Sequence, residues 1–173
     1  MVLYNEEQIR SMVERVASEI ARDSGEEEIV LIILLKGGAW FGVDLSRALE
    51  RRKETHNLYI EFMRVASYGD RRASSGDVRI EMDIQNSVRD RNVVIVDEVA
   101  DTRHTLAKVR EYLLNKEPRS LKICVAVDKT AECRRPEVKL DYVGFANAEG
   151  FLIGYGMDDQ GTCRGIPQIE ILS

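Results

Sequence analysis

Asp97 and Glu98 stand side by side, and Asp101-Thr102-Arg103-His104-Thr105 follow two residues later. Two adjacent carboxylates repel each other unless a cation or hydroxyl groups compensate them. A hydrated Mg2+ ion or the hydroxyls of a sugar would do so. The residues from Asp101 to Thr105 lie between an apolar stretch and a helical pattern. Their backbone N–H groups and threonine hydroxyls are expected to converge on one hollow at a helix N-terminus, which suits a phosphate monoester. The same residues also fit a plain helix start, with Asp101 or Thr102 as the N-cap. Taken alone, the turn leaves both readings open. Acids, sugar and phosphate together suggest a ligand carrying ribose 5-phosphate. Neither GxxxxGK[ST] nor GxGxxG occurs, so a Walker loop and a dinucleotide fold have no support.

Such a constellation has to be carried by buried strands. Val93–Val96 reads as one, and its acids would then lie at a carboxyl end, where open α/β sheets bind ligands. Ile29–Leu35 is apolar on both faces and reads as another buried strand. Lys36-Gly37-Gly38 is a turn, and a helix is expected from there to about Glu50. Ahead of these, Asn5 caps a helix with Gln8 as its box partner. Ile9, Met12, Val13, Val16, Ala17 and Ile20 share one helical face, and Gly25 with the acidic run after it ends the helix. Leu58–Arg64, Leu121–Val127 and Asp141–Phe145 are further strands, and Val78, Ile80 and Met82 mark a half-exposed one. Leu106, Val109 and Leu113 mark the helix after the acidic turn. Ala66–Gly76 is small and polar and reads as a mobile loop. Strands alternating with helices predict an α/β fold: a mostly parallel twisted sheet flanked by helices on both faces. The Gly-rich stretch after Ala146 is expected to form a short lobe over one end of the sheet. With 173 residues and no linker or repeat, one domain spanning 1–173 is expected.

Bulk properties exclude several classes. A net charge of −5 gives no footprint for nucleic acid, and the basic clusters Arg51-Arg52-Lys53 and Arg71-Arg72 read as solvated faces. The longest apolar run, 29–35, is too short to span a bilayer, and the N-terminus lacks a secretory pattern. Cys124, Cys133 and Cys163 have no CxxC spacing, and only His56 and His104 are present. No disulfide framework or zinc site is expected, and the chain reads as cytoplasmic.

The stretch "VVIVDEVADTRHTL" resembles the motif with which type I phosphoribosyltransferases bind phosphoribosyl pyrophosphate (PRPP): an apolar run, two acids, two apolar residues, then Asp-Thr-Gly-x-Thr. "LLKGGAWFGVDLSRAL" is similar to the Leu-Lys-Gly-Gly segment of the hypoxanthine-guanine phosphoribosyltransferases, and "MRVASYGDRRASSGDVRI" to their flexible loop. The segment from Val127 to Ile169 is similar to their purine-binding region. The resemblance covers nearly the whole chain, in order. It implies transfer of ribose 5-phosphate from PRPP to a 6-oxopurine with release of pyrophosphate. By resemblance, Asp97 and Glu98 hold the ribose hydroxyls with Mg2+ close by, and Asp101, Thr102, Arg103, His104 and Thr105 hold the 5′-phosphate. Asp101 also matches the general base near purine N7. Lys36, Gly37 and Arg164 match pyrophosphate contacts, the first two in a turn that often holds a cis peptide, and Ser67 and Tyr68 match a lid. Lys129 matches the donor to the 6-oxo group, Phe151 the stacking aromatic and Leu152 the backbone contact to the purine edge. Asp158, grouped with the purine contacts, matches an acid near a second metal and pyrophosphate. The resemblance further implies a homodimer or homotetramer.

Two positions depart from the pattern. The acid pair is Asp-Glu where the family usually has Glu-Asp, so the two side chains have exchanged reach. Arg103 replaces the motif's glycine, which adopts positive φ freely; a side chain there costs roughly 1–2 kcal/mol. Its guanidinium would either add charge beside the phosphate or fill the phosphate site, and the sequence leaves both open. Arg103 in the motif also defines an alternative function: a nucleotide-binding or regulatory protein that keeps the fold and has lost catalysis.

Overall fold

The structure is a computed structural model that describes residues 1–52, 57–67, 78–129 and 138–172. In chain order its elements are β1 (Val2–Tyr4), α1 (Glu6–Ser24), β2 (Ile29–Leu35), α2 (Gly38–Glu50), β3 (Leu58–Ser67), β4 (Val78–Met82), β5 (Asn92–Ala100), α3 (His104–Leu114), β6 (Ser120–Lys129), β7 (Tyr142–Ala148), β8 (Phe151–Ile153) and β9 (Ile169–Leu172). The main sheet has the order β4-β3-β2-β5-β6-β7. All its pairings are parallel except that of β4, which runs antiparallel along the β3 edge.

Period-2 alternation decides where each helix packs. Ile29, Leu31 and Ile33 of β2, with Val94 and Val96 of β5, face one side and meet the apolar stripes of α1 and α2. Val30, Ile32 and Leu34, with Val93 and Ile95, face the other side and meet Leu106, Val109 and Leu113 of α3. The central strands are therefore buried on both faces, which accounts for their unbroken apolar sequence. Helix α1 starts as expected: the Asn5 side chain accepts from Gln8 N, and the Gln8 side chain accepts from Asn5 N, both at 2.9 Å. Its buried residues are the six on the apolar stripe, and Gly25 ends it with φ 51°. Among the described residues no helix is long and apolar enough to cross a membrane. Cys124 is a buried free thiol and Cys163 is free too; Cys133 lies outside the described residues.

The lobe after Ala146 has more order than its glycines imply. β8 and β9 pair antiparallel, and β1, from the opposite end of the chain, adds to β9. This three-stranded sheet is tied to the main body by Tyr4 stacked on Phe145, with centroids 3.7 Å apart. The Tyr155 hydroxyl also donates to Asp44 Oδ2 of α2 at 2.9 Å.

Other strand boundaries shift as well. β3 continues through Ser67, so Ala66 and Ser67, expected in the polar loop, belong to a strand; residues 68–76 of that expected loop, Tyr68 included, lie outside the described residues. β7 runs to Ala148, past the expected end at Phe145.

Candidate active site

β5 does not stop at Val96. It stays paired with β6 through Asp97↔Val125, Val99↔Val127 and Ala100↔Asp128. The acid pair thus lies within the second half of the strand instead of beyond its end, and the ladder to β6 fixes its backbone. Asp97 Oδ1 accepts from Glu98 N at 3.0 Å. Burial, and then the adjacent Glu98 charge, push the Asp97 carboxyl well above the usual carboxylate range. A neighbouring cation would relieve that unfavourable charge. Glu98 turns toward the β2–α2 turn. A Cβ built on Gly37 would lie 1.8 Å from Glu98 Oε1, so the glycine leaves the room that this carboxylate fills. The peptide before it, Leu35–Lys36, is cis, and Lys36 is exposed. Gly156 of the lobe closes on the same turn: a Cβ there would meet Gly37 O at 2.1 Å, and its φ is +99°.

The turn after β5 has the shape the motif's glycine would give it, without the glycine. Arg103 is left-handed, φ 63° and ψ 9°, at the N-cap of α3, and no side chain caps the helix. The plain capped start by Asp101 or Thr102 is therefore not formed. A helix N-terminus without a side-chain acceptor is suited to an anion. The open space beside it is a cavity of about 480 Å3, lined by the turn 101–105 together with Lys36, Gly37, Asp97, Glu98 and Arg164.

Arg103 does not fill that cavity. Its Nη2 donates to both carboxylate oxygens of Asp128 at 3.0 Å each, and Nη1 donates to Val138 O at 2.9 Å. Both partners lie away from the cavity wall, and the two side chains are only 10% and 12% exposed. So of the two outcomes open for the guanidinium, plugging the hollow is not the one formed: Arg103 lines the cavity while its guanidinium is held on Asp128. The left-handed backbone costs about 1–2 kcal/mol, and Nε is buried without a partner among the described residues. The buried ion pair is what holds the side chain there.

A second cavity, of about 250 Å3, adjoins the first. Glu98, Val99 and Asp101 line both; Lys129, Phe151, Leu152, Met157 and Asp158 complete the second. At their junction Lys129 Nζ donates to Asp101 Oδ2 at 3.0 Å. Phe151 is 46% exposed, which rules out a core phenylalanine, while Leu152 beneath it is buried. Arg164 bonds Asp158 Oδ1 through Nη2 at 2.7 Å and Gly156 O through Nη1 at 2.5 Å. Asp158 Oδ2 accepts from Gly161 N at 2.6 Å.

The structure thus gathers nearly every singled-out residue around two joined cavities. Ser67 ends β3, its backbone opposite Val78. Asp97, Glu98 and Asp158 are not gathered into one ligand cluster: among the described residues no group of three or more His, Cys, Asp or Glu side chains is placed to hold a metal ion. The donor set fits Mg2+ all the same, since that ion is usually held by one or two carboxylates plus substrate oxygens and water. Sequence reasoning missed Asp128, whose signal was its place beside Lys129 at a strand end, and Met157 and Gly156, which carried none.

The chain is similar to known proteins over nearly its whole length. The family model for the phosphoribosyl transferase domain matches residues 3–160. The hypoxanthine-guanine phosphoribosyltransferase of Aquifex aeolicus is 39% identical over 172 residues, covering 99% of this chain and 93% of its own. The hypoxanthine phosphoribosyltransferase of Escherichia coli is 34% identical over 171 residues, 97% of this chain and 92% of its own. The crystal structure of a hypoxanthine phosphoribosyltransferase from Staphylococcus aureus superposes with a TM-score of 0.91 at 31% identity, covering all of this chain and 91% of that one.

Proposed function

From a chain that belongs to the type I phosphoribosyltransferase family, in its hypoxanthine-guanine branch, we infer a purine-salvage enzyme that transfers ribose 5-phosphate from PRPP to a 6-oxopurine. The products are a nucleoside 5′-monophosphate and pyrophosphate. The observation that carries the base assignment is the Lys129–Asp101 pair at the junction of the two cavities. The O6 and N7 atoms of a 6-oxopurine lie on one edge. O6 accepts from an ammonium, and N7–H donates to a carboxylate. Adenine would present an amino donor to Lys129, leaving a buried mismatch.

We assign the smaller cavity to the base, with Phe151 stacking on its face and the Leu152 backbone and Asp158 at its rim. The larger cavity takes PRPP. The turn Asp101–Thr105 holds the 5′-phosphate through backbone amides and the Thr102 and Thr105 hydroxyls. Asp97 and Glu98 hold the ribose hydroxyls. Lys36, Gly37 and Arg164 receive pyrophosphate, and Ser67 and Tyr68 belong to the lid that excludes water. As the bond from C1 to pyrophosphate lengthens, positive charge grows on the ribose and negative charge on the leaving group. The residues already in place meet both charges without reorganising. Asp101 takes the N7 proton as the new bond to the purine nitrogen forms. Asp97 and Glu98 would hold Mg2+, with Asp158 as the acid near a second ion, and the bound ion would supply neutralisation of the pyrophosphate charge. We further propose a single domain over 1–173, a cytoplasmic location, and a homodimer or homotetramer with no nucleic-acid or membrane partner.

The reading of this chain as a catalytically silent nucleotide binder rested on Arg103 in the motif, and it is not favoured: the guanidinium lies on Asp128 and leaves the hollow open. The test is direct. The protein is mixed with PRPP, Mg2+ and, in turn, hypoxanthine, guanine, xanthine and adenine, and nucleotide is followed by absorbance. Turnover is expected with the 6-oxopurines. No product with any base overturns the enzyme; adenine as best substrate overturns the role of Lys129.

A further inference from the structure

The turn at 101–105 is tied to the end of β6 twice. Asp101 bonds Lys129, and Arg103 bonds the preceding residue, Asp128. The two ties differ in kind. Asp101 is 52% exposed in its pair, and both its members face the cavities where ligand would arrive. Arg103 and Asp128 are nearly enclosed, and Asp128 lines neither cavity. A purine competes for the first pair; nothing in the reaction competes for the second. The second is also anchored to a third segment, through Val138 O.

We propose that Arg103 is a positioning residue for the reaction: its buried fork onto Asp128 holds the left-handed kink that presents the α3 N-terminus to the 5′-phosphate of PRPP. A glycine at this position would reach the same φ and ψ with no side chain to keep it there. In this chain the side chain acts as a strut between the phosphate turn and the strand end that carries Lys129. The turn is then arranged before substrate arrives, and binding does not bear the entropy of ordering it. Asp128, in contact with no substrate in this arrangement, acts through Arg103.

The proposal rests on the assignment of the larger cavity to PRPP, and the test separates the two. Arg103→Gly removes the strut and leaves a residue at ease with the kink, so any loss cannot come from backbone conflict. Asp128→Asn leaves Arg103 in place and removes the charge that holds it. Steady-state KM values are measured for PRPP and for hypoxanthine, with thermal unfolding alongside. Both variants are expected to raise KM for PRPP about tenfold, with KM for hypoxanthine changing less than about threefold. Arg103→Lys, which keeps the charge and loses the planar fork, is expected to fall between. Should Arg103→Gly fail to fold because Asp128 is left without a partner, Arg103→Gly/Asp128→Asn removes both charges and carries the same expectation.

A readout free of turnover is the ratio of affinities for inosine 5′-monophosphate and inosine, by calorimetry. Loss of the strut is expected to cut the advantage of the phosphate about tenfold. A lowered unfolding temperature with KM for PRPP and this ratio within twofold of the parent would mean that the pair is only structural, and the proposal fails. If the unmodified protein makes no nucleotide, it is the assignment of function that fails, and the calorimetric ratio still decides the strut.

Discussion

Two strand-turn-helix units stand side by side in the middle of the sheet, because β2 pairs with β5 in parallel register up to Ile33↔Val96. The first turn, 36–38, uses two glycines; the second, 101–103, uses an arginine. Conformation does not explain the contrast. Gly37 has φ −63° and ψ −42°, which any residue adopts, whereas Arg103 at φ 63° is where glycine is favoured. Space explains it. Gly37 has the Glu98 carboxylate where its Cβ would be, and Gly38 has Val96 O at 3.1 Å from that point. The Arg103 side chain has an exit toward Asp128. A glycine can therefore be required by crowding or by backbone angle. The second requirement amounts to about 1–2 kcal/mol, which a well-placed side chain can offset.

The sharpest way to break this comparison is Asp101→Asn. Asparagine keeps the volume and an acceptor for Lys129, yet cannot take a proton from N7. A fall in kcat of about 10²- to 10⁴-fold is expected, the usual range for a positioned base, with KM for PRPP far less affected. Near-normal kcat would mean that the β5 turn only holds anions and does not differ from the β2 turn in role. Next in size is Gly37→Ala. Its methyl must displace the end of a flexible side chain, so the unfolding temperature is expected to move little. kcat/KM is expected to fall about a hundredfold because Glu98 is re-aimed by about 1 Å. Activity within threefold of the parent would make Gly37 an ordinary turn residue.

How much of this was legible in the sequence follows the range of the interactions. β2 was visible along its whole length because burial on both faces leaves no polar residue in it. α1 was visible from its cap to Gly25 because both signals act within four residues. β5 was read as ending at Val96 because polar residues interrupt the apolar run; the ladder to β6 carries it to Ala100. β1 was not seen at all, since three residues hold too little pattern and their partner, β9, lies at the other end of the chain. At the site, the residues assigned to ligand were legible as a motif. The fate of Arg103 was not, because it depends on Asp128, 25 positions on, and on Val138. A motif reports what faces the ligand; what holds the motif from behind is tertiary.

The far ends of the two helices extend the comparison, with a smaller effect. Each helix is tied down at its C-terminal end by one acid that takes two side-chain donors. For α2 the acid is Glu14, which bonds Arg51 at 2.6 Å and also Arg52. For α3 it is Asp83, whose Oδ2 accepts from the Tyr112 hydroxyl at 2.5 Å and from Lys116 Nζ at 3.0 Å. Burial pushes the Asp83 carboxyl up, but the bonds from Tyr112, Lys116 and the Ile84 amide outweigh it and hold the acid below the usual range. A depressed carboxyl stabilises the fold above its unfolded value of about 3.9, and that stability is lost as pH falls through the folded value. Because Asp83 is partly exposed, solvent screening keeps the contribution to no more than about 1 kcal/mol. Asp83→Asn is thus expected to lower the unfolding temperature by about 2–4 °C at pH 7. The gap between variant and parent should narrow below pH ~3.9 and close in stronger acid. A gap that persists unchanged in strong acid would place the loss in packing around Tyr112 and not in the charge. The two turns would then differ at the ligand end of their helices alone.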